Sequence, residues 1–180
     1  MKNRGLFAWM AVASAVGILA SFWQLLEKLA LLKNQDVVLS CNLNSVFSCS
    51  NILNAPQSSV FGFPNPVIGL IMFTFFLTVA IFMLTGVKMI KKFAYAVQGL
   101  ALFMLAFTLW LFYMNTYSSR AICIFCLFNG TAVVIINAAM LRHNAQFSSS
   151  LRRLTRRGAD YFGFTLLWLI VAFAMLLKFA

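Results

Sequence analysis

Five apolar stretches, each close to the ~20 residues a helix needs to cross a bilayer, fill most of this chain, at approximately residues 6–31, 66–87, 93–115, 121–141 and 161–179. Hydrophobic residues make up 63% of the 180 and charged residues 9%, where a soluble domain carries about a quarter charged. A water-soluble fold of this size has too little interior to hide that much apolar surface, whereas lipid accepts apolar outer faces. The runs are long and continuous, not short and alternating, which favours helices over a membrane barrel. The expected fold is an all-α integral membrane protein with a single membrane domain over residues 1–180. No internal repeat and no soluble domain are visible.

Lys2 and Arg4 before an apolar run resemble a signal peptide. The run continues to about residue 32, too long for a signal core. Cleavage after Ala13, Ser14 or Ala15 would leave a mature end inside it, so a retained first helix is expected. That run exceeds one span, so it tilts or projects. Pro66 suits the first turn of the second helix, where a missing N–H costs nothing.

The net charge of +11 would fit a nucleic-acid binder, but the cations form short clusters between apolar runs, with no basic surface interleaved with aromatics. They read as topology signals. Lys2, Arg4, Lys88, Lys91, Lys92, Arg142, Arg152, Arg153, Arg156 and Arg157 collect on one side; Lys28, Lys33, Arg120 and Lys178 fall on the other. The first side is expected to be cytoplasmic, giving a multi-pass protein of the cell membrane with its N-terminus inside and its C-terminus outside. Residues 143–160 read as a basic cytoplasmic linker anchored on lipid headgroups. Residues 34–65 are the long outer loop. It carries Ile52, Leu53, Val60, Phe61 and Phe63, and is expected to cap the helix ends.

All four cysteines fall on the outer, oxidising side, where thiols readily become disulfides. Cys41 and Cys49 lie in the loop; Cys123 and Cys126 form Cys-Ile-Phe-Cys at the start of the fourth helix. Spacing i, i+3 puts both of the latter on one helix face. A first-turn position and Arg120 favour the thiolate of Cys123, and Ser118 or Ser119 can cap that turn. Cys126 lies one turn deeper, toward lipid. The competing readings are a pair of inert buried thiols, a four-cysteine zinc site, since His143 is on the wrong side, or two static disulfides. A relay accounts for both pairs at once: the loop pair, expected to be exposed, meets a soluble protein, the helix pair meets a lipid-dissolved molecule, and thiol–disulfide exchange joins them. Too few His and carboxylates are present for haem or di-iron, so the two-electron partner is most simply a quinone. No metal site is expected. Phe73, Phe75, Phe76, Phe103 and Phe107 read mostly as lipid-facing or helix-packing residues.

Taken in order, Cys41-x7-Cys49, the segment Gly-Phe-Pro-Asn-Pro-Val-Ile-Gly over residues 62–69, and Cys123-Ile-Phe-Cys126 resemble the vitamin K epoxide reductase family over about residues 6–141. The chain is most similar to bacterial members without a fused thioredoxin-like domain. Other bacterial quinone-linked disulfide formers carry the Cys-x-x-Cys pair first. The resemblance implies a four-helix bundle around a quinone of menaquinone or ubiquinone type, with one additional transmembrane helix outside it. It implies that Cys41 exchanges with an extracytoplasmic thioredoxin-like partner, that Cys49 passes electrons to Cys123, and that Cys126 faces the quinone. Asn65 matches an asparagine that hydrogen-bonds a quinone oxygen. Two positions depart from the pattern. Ala55 stands where many members carry Ser, which removes a hydroxyl. Gly130 stands where vertebrate enzymes carry Tyr, which bears on epoxide reduction and inhibitor binding and leaves quinone reduction untouched. The expected function is quinone-dependent reoxidation of a disulfide catalyst; the alternative is a non-catalytic multi-span membrane protein stapled by two structural disulfides.

Overall fold

The computed structural model describes residues 4–35, 37–42, 48–119, 121–156 and 158–177. Its elements are helices: α1 (Arg4–Lys33), α2 (Cys49–Asn54), a short 3-10 turn (Pro56–Ser59), α3 (Asn65–Leu84), α4 (Lys91–Met114) running into a wide π turn (Asn115–Ser119), α5 (Ile124–Asn144), α6 (Ser149–Arg156) and α7 (Ala159–Leu177). Among the described residues four helices, α1, α3, α4 with its π turn, and α5, are long and apolar enough to cross a membrane. The protein is all-helical and multi-pass.

The helix interiors obey lipid rules. Trp9, Leu19, Ile71, Phe82, Leu102 and Phe103 present apolar surface outward, while polar and small residues turn inward. The buried stripe of α1 includes Phe7, Met10, Ser14, Gly17, Ser21, Gln24, Lys28 and Leu31. These alternate at spacings of three and four, one face of a helix in coiled-coil register. Small residues on that stripe set the closeness of α1 to α3. A Cβ on Gly17 would fall 2.6 Å from the Phe73 ring, and one on Gly69 2.5 Å from the Ser21 hydroxyl. Across the bundle, Asn137 of α5 donates to the Ala101 carbonyl of α4 at 2.8 Å and accepts from Gln98 at 3.2 Å, while Asn144 donates to the Ala94 carbonyl at 3.2 Å. Such interhelical bonds contribute about 0.6 kcal/mol each in a membrane. Helix α1 packs along both α3 and α5, and α4 along α5, whereas the α3 and α4 backbones make no extended contact. The bundle is therefore an arc, α3–α1–α5–α4, with a seam where its ends face each other.

Several boundaries move from their expected places. Helix α5 starts at Ile124, not 121, because Cys123 is in extended conformation and acts as its N-cap. It runs on to Asn144, where Asn144 is tied to α4 and the His143 ring packs edge-on against Phe7 at 5.2 Å. The 143–160 segment is not a plain linker, because residues 149–156 wind into α6. Helix α7 docks on α5. Its Trp168 lies across Gly130, where any Cβ would collide with the indole, and meets Phe112 edge-on at 5.0 Å. The missing side chain at Gly130 thus makes room on α5 for the Trp168 indole of α7. Phe73 and Phe76 are buried in the core, Phe103 faces outward, and Phe107 lines a cavity described below.

Candidate active site

The four cysteines converge at one end of the bundle. Cys41 and Cys49 are joined in a disulfide; Cys123 and Cys126 are free thiols. All four pack in one apolar cluster with Leu31, Leu39, Ile52, Leu53 and Ala121. The expectation of an exposed loop pair is overturned: Cys41 is 4% and Cys49 1% exposed. The cause is α2, which turns Cys49, Ile52 and Leu53 down onto the bundle.

Polar side chains pin this loop on both sides of the disulfide. Asn42 donates to the Ser50 hydroxyl at 2.6 Å and accepts from the Ser50 N–H at 3.2 Å, binding the residue after Cys41 to the residue after Cys49. Glu27, near the end of α1, accepts from the Ser40 hydroxyl and from the Ser40 N–H at 3.3 Å. The adjacent Lys28 is buried, and its ammonium donates to the Leu53 carbonyl and to the Ser58 hydroxyl at 3.1 Å. Two neighbouring, oppositely charged residues thus hold the segments before Cys41 and after Cys49. Replacing Lys28 with Met keeps the apolar stem and deletes the donor. Losing hydrogen bonds to a charged group costs about 1.5–3 kcal/mol. Lys28→Met should therefore speed reduction of Cys41–Cys49 by a small dithiol, read by alkylation of the released thiols; an unchanged rate would mean that Lys28 does not hold the loop.

The second pair is built into a helix start. The Cys123 sulfur accepts the Cys126 N–H at 3.4 Å, capping α5 itself, so Ser118 and Ser119 are not the cap. Gln24 of α1 donates to the Cys123 sulfur at 3.6 Å and to the Cys126 sulfur at 3.5 Å. Hydrogen bonding from Cys126, side chain first and backbone after it, holds the Cys123 thiol below its ordinary range although burial opposes this. The arrangement favours thiolate at Cys123, the form that attacks disulfides. Arg120, expected to help, lies outside the described residues.

Behind Cys126 is a cavity of ≈ 80 Å³. Polar groups lining it include Gln24, Ser58, Asn65, Thr108, Asn115 and Asn129; its apolar wall includes Phe73, Phe107 and Leu111. Asn65 is not a helix cap: Pro64 holds the cap position of α3. The Asn65 amide instead staples the loop to α3, donating to the Gln57 carbonyl at 2.7 Å and accepting from the Val60 N–H at 3.1 Å. One amide N–H remains for a ligand. The lining is mostly apolar with a few convergent polar groups and a thiol, the makeup of a small-molecule site. Its amide and hydroxyl donors suit a ligand that carries carbonyl oxygens, such as a quinone head.

Sequence reasoning placed the four cysteines and Asn65 together, and missed Gln24, Glu27, Asn42 and Asn115. The signal for Gln24 was present: Ser14, Gly17, Ser21, Gln24 and Lys28 recur at three and four residues within an apolar helix, and polar residues in a span face its interior.

No curated protein matches the chain individually. The model of the vitamin K epoxide reductase family matches residues 8–143, a span that takes in both cysteine pairs, the loop, Asn65 and the four bundle helices. With its membrane helices and disulfide-forming cysteines, this chain belongs to the vitamin K epoxide reductase family of quinone-linked thiol–disulfide oxidoreductases.

Proposed function

We propose that the protein reoxidises an extracytoplasmic thioredoxin-like disulfide catalyst and passes the electrons to a quinone of the menaquinone or ubiquinone type. The observation that carries this is the packing of both cysteine pairs in one cluster, with a cavity behind Cys126 that is lined by amides and hydroxyls as well as apolar side chains. A thiolate of the reduced partner attacks Cys41, and Cys49 leaves as thiolate. The partner's second thiol then displaces Cys41, so the partner departs oxidised and two electrons stay on Cys41 and Cys49. Cys49 thiolate attacks the oxidised helix pair at Cys123, and Cys41 closes the loop disulfide again. The disulfide state described for the structure, loop pair oxidised and helix pair reduced, is the state ready to give electrons to quinone. Gln24 bonds both sulfurs and steadies negative charge there.

Burial of Cys41 gives the loop a role in access, since a partner thiol reaches it only when the loop held by Glu27 and Lys28 lifts. Ile68 of α3 and Phe107 and Leu111 of α4 line the cavity where those two helices face each other, which supports entry of the quinone from lipid between them. Static staples, the alternative, do not account for a free dithiol beside a polar-lined cavity.

The remaining amide N–H of Asn65 donates to a quinone carbonyl and stabilises charge that develops there. Asn65→Asp should then cut quinone reduction on the order of 10²-fold, as when an oxyanion donor is lost. Aspartate also turns an acceptor toward the Gln57 carbonyl and loosens the loop, so exchange at Cys41–Cys49 should persist or quicken. Normal quinone turnover in a folded, inserted Asn65→Asp protein would remove Asn65 from the site.

The charge asymmetry supports an N-terminus inside, with α7 as a fifth span of 19 residues and the C-terminus outside. Leu166, Leu169, Ile170 and Phe173 face away from the bundle, as lipid contact requires. A reporter active only in the cytoplasm should be silent when fused after Ala180 and bright when fused at Ser149. The reverse pattern would place every cysteine in the cytoplasm and defeat the relay. The function itself is tested in anaerobic proteoliposomes: a reduced thioredoxin-like protein should be oxidised beyond the equivalents held by the protein's own disulfides only when quinone is present, and continued turnover without quinone would refute the reading.

A further inference from the structure

We propose that Asn115, at the junction of α4 with its π turn, is a second quinone-binding residue that bonds the ring oxygen in both the oxidised and the reduced state. This inference rests on the reading of the cavity as the quinone site. Asn115 is 3% exposed, lines the cavity together with Cys126 and Asn65, and has a buried Oδ1 without a hydrogen-bond partner. Two other buried amides have an unpartnered oxygen, Gln98 and Asn144, but each of those donates through its nitrogen, to Asn137 and to the Ala94 carbonyl. They are interhelical ties. No hydrogen bond of the Asn115 side chain occurs among the described residues. A buried polar group left unpaired is costly, and a π turn within a helix often marks a functional position.

The chemistry of the reaction asks for such a group. Two electrons and two protons pass from the Cys123 and Cys126 thiols to the quinone; a sulfur–sulfur bond forms, and each ring carbonyl becomes a hydroxyl. A quinone oxygen accepts hydrogen bonds, whereas a hydroquinone oxygen also carries a proton to donate. A carboxamide serves both, with its N–H before reduction and its carbonyl after it. Asn65 is less free to do so, since its amide is held in place by accepting from the Val60 N–H and donating to the Gln57 carbonyl. Asn115 has both ends available. With Asn65 at the start of α3 and Asn115 at the end of α4, each of two ring oxygens has an amide.

The test uses the purified full chain in lipid nanodiscs with menadione and a short-chain ubiquinone as probes. In Asn115→Leu, kcat/KM for the probes should fall about 10²-fold, the scale of one lost donor at a reacting oxygen. The ligand-free protein should melt at an equal or higher temperature, because an unpaired amide has been removed from an apolar setting. Reduction of Cys41–Cys49 by dithiothreitol should be unchanged. Asn115→Asp, an acceptor only, should favour hydroquinone over quinone by at least about tenfold more than the wild type in equilibrium binding, as the loss of one hydrogen bond predicts. If wild type reduces neither probe, the function proposed above has failed. If wild type reduces them and both variants keep its kcat/KM and its quinone-to-hydroquinone affinity ratio, or if Asn115→Leu only lowers the melting temperature, Asn115 is structural and this inference is overturned. Should Asn115→Leu not fold, the affinity ratio of Asn115→Asp decides alone.

Discussion

Replacing Cys49 with Ser is expected to convert a transient encounter into a covalent complex. Incubated with the oxidised form of its thioredoxin-like partner, the variant's Cys41 thiolate breaks the partner's disulfide. The mixed disulfide then lacks the thiol that would resolve it from the side of this chain. The wild type pairs Cys41 with Cys49 within one folded unit, at an effective concentration no dissolved thiol matches. The complex should be prominent on a non-reducing gel for Cys49→Ser, barely detectable for the wild type and absent from the Cys41→Ser, Cys49→Ser double variant. An adduct that forms equally well without Cys41 would place the point of entry elsewhere. Cys41 is nearly closed off from solvent, so Lys28→Met, which frees the loop, should hasten formation of this complex.

The second large effect is expected at Cys123. A serine there keeps the cap: its hydroxyl accepts the Cys126 N–H as the sulfur does now, and Ser is a preferred N-cap. Stability should therefore change by no more than about 1 kcal/mol, the usual worth of such a cap. The electron path is cut all the same, because Cys126 has no sulfur with which to form a disulfide. Quinone-linked oxidation of the partner should drop to background, on the order of 10³-fold or more, the scale lost when a nucleophile is taken from a group of residues acting as a unit. Disulfide formation at the normal rate in Cys123→Ser protein would take the helix pair out of the pathway. The contrast with Gly130 is instructive. A side chain there strikes Trp168 and should loosen α7 from α5 without touching either thiol.

Much of this architecture was legible because lipid makes the sequence speak plainly. Long apolar runs separated by cations give the helices, and the ends shift by only a few residues. Local tertiary ties account for the shifts, as where Cys123 rather than an upstream serine caps α5 and Asn144 prolongs that helix toward Ala94. The cysteines were legible because two spaced pairs with one proline-flanked asparagine form a specific pattern. Burial of the loop pair was not, because it depends on α2 folding back and on Glu27 and Lys28 gripping the chain on either side of the disulfide. Charges near a helix end read first as topology signals, and only the fold shows them bonded to a loop. The role of Gln24 was available in its spacing, yet one polar residue in a long apolar helix acquires meaning only when a neighbouring helix brings two sulfurs to it.

The central claim is that electrons leave this protein from Cys123 and Cys126 to a quinone held beside them. It is tested most directly in a single turnover. Purified protein with the loop pair oxidised and the helix pair reduced is mixed, without oxygen, with an excess of a soluble quinone analogue. Hydroquinone is followed by absorbance, and the disulfide is located by mass spectrometry after alkylation. The account predicts one hydroquinone for each Cys123–Cys126 disulfide formed, at matching rates, with none from Cys126→Ser protein. Hydroquinone formed while Cys123 and Cys126 remain as thiols, or no hydroquinone from the intact dithiol, would contradict it.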